Sequence, residues 1–298
     1  MSPNVCIKSK TLLPSDKVKA IDSHPEKPWI LRAFFDGHVS IYNTETSQVV
    51  RDIKVSEGPV RAAIFVPRTG SIVTGSDDKM IRVFDYNTGE RTAEFEAHSD
   101  FIRSLAVHPT EQIKLSCGAV KQWKIDQGFA PTSSDLVAFE PKEGHIFASA
   151  ALDNTVKIST IDAPEPLATL VGHEKGVNAI AFLPGAASLL ASGSDDHSIK
   201  IWDYKSGKCL HTLASHDDNV VALRVHNHLR LLISASEDGT VKACLVKTVS
   251  PGLGRAWCLT SFSEKEIVAI GCDAGTALVD LDLGNEDAVD SQGEKKMF

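Results

Sequence analysis

Thr74-Gly75-Ser76-Asp77-Asp78-Lys79-Met80-Ile81-Arg82-Val83-Phe84-Asp85 and Ser192-Gly193-Ser194-Asp195-Asp196-His197-Ser198-Ile199-Lys200-Ile201-Trp202-Asp203 are two copies of one phrase. Each has a run of small residues, an Asp turn, an alternating strand and a closing aromatic-Asp pair. Such a phrase recurring about every 42 residues marks the four-stranded blade of a β-propeller. The matching Asp falls at Asp36, Asp78, Asp153, Asp196, Asp238 and Asp273, at spacings of 42, 75, 43, 42 and 35 residues. The gap of 75 must hold two blades, one of which has lost its Asp. The expected fold is therefore all-β, a seven-bladed WD-repeat β-propeller whose third blade is degenerate. The ring is expected over residues 1–284, with Val5 to Thr11 completing the last blade, because closure removes the edges that pair with other chains. Residues 285–298 read as a flexible polar tail.

Composition narrows the function. The chain of 298 residues is 42% hydrophobic, ample for a core, and no apolar run approaches the roughly 18 residues of a membrane span. Thirty-nine acidic against 31 basic side chains leave a net charge of -8, which argues against a nucleic-acid footprint. Met1 to Lys10 lacks the apolar stretch of a signal peptide. Cys6, Cys117, Cys209, Cys244, Cys258 and Cys272 form no Cys-x-x-Cys pair. Reduced, inert thiols in the cytosol are expected.

The fifth blade is the clearest. Strand a reads as Val177 to Phe182, b as Leu189 to Ser192, c as Ser198 to Trp202 and d as Cys209 to Leu213, with Pro184-Gly185 and Asp195-Asp196 as turns. His98, His173 and His216 precede strands a. Burial obliges such a His and the second Asp of each doublet to find partners, so the reading is structural bonding between them, not metal ligation.

The third blade is short. His98 to Trp123 spans 25 residues where His173 to Trp202 spans 29, and Trp123 to Leu136 spans 13 where Trp202 to Val220 spans 18. The loss removes a b–c turn, most of an outer strand and the Gly-His that would open the fourth blade. Lys124 to Ser134, with Gly128 and Pro131, is expected to lack a regular outer strand.

Function must come from side chains the blade does not require. Aligning the first apolar residue of strand a gives Val18, Val60, Ile102, Leu136, Val177, Val220 and Ala256; the residue after it is Lys19, Arg61, Arg103, Val137, Asn178, Val221 or Trp257. Three adjacent blades present a cation in this column, and Lys17, two residues from Lys19, is expected to share its face. Asp100 and the first acid of each doublet, Asp77, Asp195 and Glu237, surround them. Clustered cations beside carboxylates suit a ligand that carries both charges, such as a peptide C-terminus next to a lysine.

Ser15-Asp16-Lys17-Val18-Lys19, Pro59-Val60-Arg61-Ala62, Glu96-Ala97-His98-Ser99-Asp100-Phe101-Ile102-Arg103 and Gly172-His173-Glu174-Lys175-Gly176-Val177-Asn178 resemble the N-terminal WD-repeat propeller of the coatomer beta-prime family. The resemblance covers nearly the whole chain and implies a cargo-binding propeller of the COPI vesicle coat. Its ligands are the cytosolic C-terminal dilysine tails of membrane proteins retrieved from Golgi to endoplasmic reticulum. By matching positions it implies a peptide-carboxylate site at Lys17, Lys19 and Arg61 and a peptide-lysine site at Asp100, Arg103 and Asp195. It also implies other coatomer subunits as partners, indirect membrane association through the coat, and a cytoplasmic location peripheral to Golgi membrane and COPI vesicles. Two departures stand out: the family usually carries Arg where Lys17 stands, and the third-blade Asp that helps to hold the lysine falls in the deletion. The family continues into a second propeller and a helical solenoid, whereas this sequence stops at Phe298.

No nucleophile and base fall at motif spacing, and no phosphate loop or metal spacing occurs, so neither an enzyme nor a cofactor is expected. The rival class is a generic WD-repeat protein–protein interaction scaffold, an adaptor or signalling platform, which has no need of cations stacked in one column.

Overall fold

The small-residue run of each blade exists because the next blade lies against it. A Cβ on Gly75 would meet Ile102, one on Gly193 would meet Val220, and one on Gly271 would meet Val18, each the first apolar residue of the following inner strand. Ile102, Val220 and Val18 are fully buried at these seams. Around that contact the computed structural model builds a β-propeller. It describes residues 5–98, 100–108, 113–117, 121–124, 136–142, 144–150, 152–163, 165–183, 188–214, 216–226, 231–243, 247–262 and 266–283.

Six antiparallel sheets have four strands each and one has three. The fifth runs Val177–Phe182, Leu189–Ser194, Ser198–Asp203 and Lys208–Ala214, within two residues of the strands expected. The three-stranded sheet is Ser104–Val107, Ile113–Cys117 and Lys121–Lys124. Where seven blades were expected, six complete ones are found, because the shortened stretch after Trp123 contributes no fourth strand among the described residues. Beyond Lys124 that stretch, like residues 284–298 and the expected tail within them, lies outside the described residues. Val5–Pro14 pairs antiparallel with Gly275–Leu283 as the outer strand of the sheet that begins at Ala256. The inner strands touch in chain order, and the last, Ala256–Ser261, packs back on the first, Val18–Ser23. The core lies between the sheets: Leu31, Val39 and Ile41 of the first pack on Val60, Phe65 and Ile72 of the second.

Polar pins run through this core. His173 Nδ1 lies 2.7 Å from Asp196, and its Nε2 lies 2.7 Å from Ser192 Oγ, which accepts the Trp202 indole hydrogen at 2.7 Å. An indole only donates. An ionised Asp196 only accepts, so Nδ1 carries the hydrogen, and the ring that burial keeps neutral accepts the Ser192 hydroxyl at Nε2. His216, Asp238 and Ser234 repeat the arrangement at 2.8 Å. His98, whose blade has no such Asp, is equally buried.

Two positions read from the sequence shift in the structure. Leu136 pairs with Ala150 as Ala62 pairs with Gly75, and Ala150 and Gly75 each pair six residues ahead, with Val156 and Ile81. The column position of the fourth blade is therefore 135, outside the described residues, and Val137 is not its member. The degenerate approach to this blade hid two residues of offset. Asp273 likewise holds the first turn position, equivalent to Asp77 and not Asp78, because its hairpin is tighter: Gly271 pairs with Thr276, five residues on.

Candidate functional site

Five of the column residues face the ring axis because each is a β-bulge. Val60 pairs with Ser76 and Ala62 with Gly75, which leaves Arg61 out of the ladder; the same register shift skips Lys19, Asn178, Val221 and Trp257. A bulge re-aims its side chain. Lys19, Arg61, Arg103, Asn178, Val221 and Trp257 accordingly line one central cavity of about 460 Å³.

The bulge also breaks the alternation by which Lys17 was expected to share the face of Lys19. Lys17 instead lies 3.3 Å from Asp273 Oδ1. The two ammonium groups meet on a third residue, with Lys17 Nζ 3.8 Å and Lys19 Nζ 3.5 Å from the centroid of a Trp257 ring. Arg255 adds its guanidinium at 4.9 Å. The indole is fixed in turn, since its Nε1 donates to Asp273 Oδ1 at 2.7 Å. Asp273 collects this hydrogen bond, the Arg255 backbone N–H and Lys17, which together bring its pKa down to about 2 against the opposing effect of burial.

Burial, reinforced by Lys17 and then Arg61, pushes Lys19 down to about 8. Arg61 is gripped bidentately by Asp77 through Nε and Nη2, and its guanidinium lies 5.6 Å from the Phe101 ring. Such a fork pair is strong and directional. The pattern repeats in chemistry if not in charge: Asn178 donates to Asp195, as Trp257 donates to Asp273. An acid in the b–c turn thus orients the bulged residue of its own blade.

Of the three residues expected to hold a carboxylate, Lys17 and Lys19 meet over Trp257, and Lys19 and Arg61 line the same cavity. The lysine-site residues are more dispersed. Arg103 is exposed and lines the cavity. Asp100 is exposed and accepts the Phe101 N–H at 2.7 Å. Asp195 is engaged by Asn178. Trp257 and Asp273 were missed as residues of this cluster, although Trp257 stood in the column; the signal was an aromatic residue in the column position of the last blade, next to the two lysines of the first. Cys258 lines the same cavity, and burial pushes its thiol well above the usual range, so it offers no thiolate.

Sheets of this register with bulged cations at the axis define an all-β WD40 propeller, and the WD domain, G-beta repeat matches residues 47–85, 164–203 and 207–243. Over 92% of its length the chain is homologous to coatomer subunit beta'. It is 40% identical over 293 residues to Coatomer subunit beta' of Rattus norvegicus and 39% identical over 291 residues to that of Drosophila melanogaster, covering 32% of each protein. Over 185 residues, 58% of this chain, it is 39% identical to Putative coatomer subunit beta'-3 of Oryza sativa subsp. japonica, of which it covers 20%. The chain spans about a third of the length of the first two relatives. Among the described residues no helix is long and apolar enough to cross a membrane.

Proposed function

We propose that this propeller captures the free C-terminus of a peptide with lysines near its end, and so acts as a cargo-binding module of a COPI coat for Golgi-to-endoplasmic reticulum retrieval. One observation carries the reading: in a chain with net charge -8, Lys17 and Lys19 meet over Trp257, and Lys19 lines one cavity with Arg61 of the adjacent blade. Asp273 and Asp77 already partner Lys17 and Arg61, and an incoming carboxylate would add charge-assisted bonds to the same three clustered cations. Asp100 and Asp195, with Arg103 beside them, receive the ligand's lysine. The three-stranded sheet is read as the degenerate third blade of a seven-fold ring. Other coatomer subunits are the partners that similarity supports, with the protein in the cytoplasm on Golgi membrane and vesicles.

Calorimetry with a Lys-Lys-x-x peptide tests this directly. The free acid should bind, its amide should lose most affinity, and Arg61→Ala should cost about 1.5–3 kcal/mol, the range of a hydrogen bond to a charged group. Asp100→Ala should erase the preference for Lys over Ala in the peptide. Equal affinity for acid and amide would leave only a propeller scaffold.

A further inference from the structure

At the first position of the b–c turn, four blades carry an acid: Asp77, Asp195, Glu237 and Asp273. Their equivalence is fixed by one repeated bond, in which each donates its backbone N–H to the residue just before the inner strand, at 2.9–3.1 Å. In the first blade the same bond, Phe35 N to Lys17 O at 3.0 Å, places an aromatic ring where the others have a carboxylate. Phe35 is 49% exposed. Its ring lies 5.9 Å from Lys17 Nζ. Across the cations, Phe101 is 40% exposed beside Arg61. Neither ring is required by the core. Each stands in water against a member of the cationic cluster, so the cluster is bordered on both sides by apolar surface.

The geometry points to a specificity site for the last two side chains of the ligand: Phe35 and Phe101 select large apolar residues next to the captured carboxylate. This inference rests on the peptide-capture reading above. A carboxylate held at Lys17, Lys19 and Arg61 leaves its own residue, and the one before it, within reach of these rings. Charge complementarity fixes the carboxylate end, and removal of two exposed rings from water rewards an apolar neighbour. An acid at position 35, as in four other blades, would repel the same carboxylate; an aromatic residue there removes that repulsion and adds contact area.

The experiment uses the whole chain and free-acid peptides that share the same two lysines and end in Ala-Ala, Ser-Ser or Leu-Phe, with the Ala-Ala amide as control. Leu-Phe should bind about fivefold to tenfold more tightly than Ala-Ala, the gain expected for partial burial of apolar side chains, and Ser-Ser no better than Ala-Ala. The double variant Phe35→Ala, Phe101→Ala should reduce the ratio of Leu-Phe to Ala-Ala affinity to less than about twofold, a ratio in which any loss through the ring contacts with Lys17 and Arg61 cancels. Phe35→Leu should keep most of the gain. If amidation weakens Ala-Ala but Leu-Phe gains nothing, the apolar site is refuted and carboxylate capture stands. If no peptide binds, or acid and amide bind alike, both readings fall together.

Discussion

The ammonium of Lys19 sits 3.5 Å from the centroid of the Trp257 indole, joining the bulged residues of the first and last inner strands across the closure of the ring. Neither residue holds this position alone. Asp273 anchors the indole, and Lys17 shares the ring at 3.8 Å. The result is a rigid aromatic floor under two cations. Trp257→Ala should therefore weaken carboxylate binding with both lysines present, whereas Trp257→Phe, which keeps a ring but loses the bond to Asp273, should fall between. Intrinsic fluorescence on titration with the free-acid peptide reads the same event, and an unresponsive spectrum in a binding protein would count against a role for the indole.

Lys19 should make the proposed carboxylate capture depend on pH. Its pKa, pushed down to about 8 by burial, Lys17 and Arg61 against the weaker pull of Glu237, means that it loses its charge as pH rises through that value. Carboxylate affinity should thus decline from pH 7 to pH 9. A bound carboxylate favours charged Lys19, so complex formation near pH 8.5 should take up protons, visible as a dependence of the calorimetric heat on buffer ionisation enthalpy. The fold responds with the opposite sign. A depressed Lys contributes stability above its unfolded value that is lost as pH falls through about 8. Lys19→Gln should flatten the pH profile of binding.

Acid should undo the His–Asp pins in two stages. Burial holds His173 and His216 below the usual imidazole range, so their stabilising contribution is present above about 6.5 and is lost as pH falls from there. Asp196 and Asp238, held at about 2 by hydrogen bonds from Ser198 or Thr240 and from the His, contribute stability above about 4 that disappears on the way to 2. Asp22, buried and raised to about 6, opposes them, because its contribution is lost as pH rises through 6. Denaturant titration should show stability falling below pH 6.5 and more steeply below 4. Asp196→Ala should cost about 2–3 kcal/mol at pH 7 by leaving a buried donor unpaired.

Gly37 should tolerate nothing else. The residue after the turn Asp takes a positive φ in several blades: Gly37 at 90°, Lys79 at 70°, Asn154 at 69°, His197 at 66° and Gly239 at 78°. That conformation alone admits side chains, as Lys79 and His197 show. At Gly37, however, a Cβ would collide with the backbone oxygen of Ser56. Gly37→Asn, a residue suited to positive φ, should still destabilise by more than about 1 kcal/mol, whereas Lys79→Asn should be close to neutral. Thermal unfolding of the two variants checks the contrast.

The blade phrase was legible because it is dictated locally: turn acids, alternating strands and a glycine where the next blade presses. Period alone placed five of the six turn acids and the column positions of blades one, two, five, six and seven, where the bulges lie. The misplaced Asp273 and Val137 fell where the repeat changes length, and register there is set by strand pairing that no spacing records. Sequence also named the cations Lys17, Lys19 and Arg61, since a column of charge in an acidic chain needs no coordinates to see. What it could not supply was the common partner of the two lysines. Trp257 lies some 240 residues from Lys17 in the chain and meets it only because the ring closes, and a β-bulge turns Lys19 inward while Lys17 goes to Asp273. Local propensity writes the blade; closure of the ring and the bulge in each inner strand decide which charges share one site.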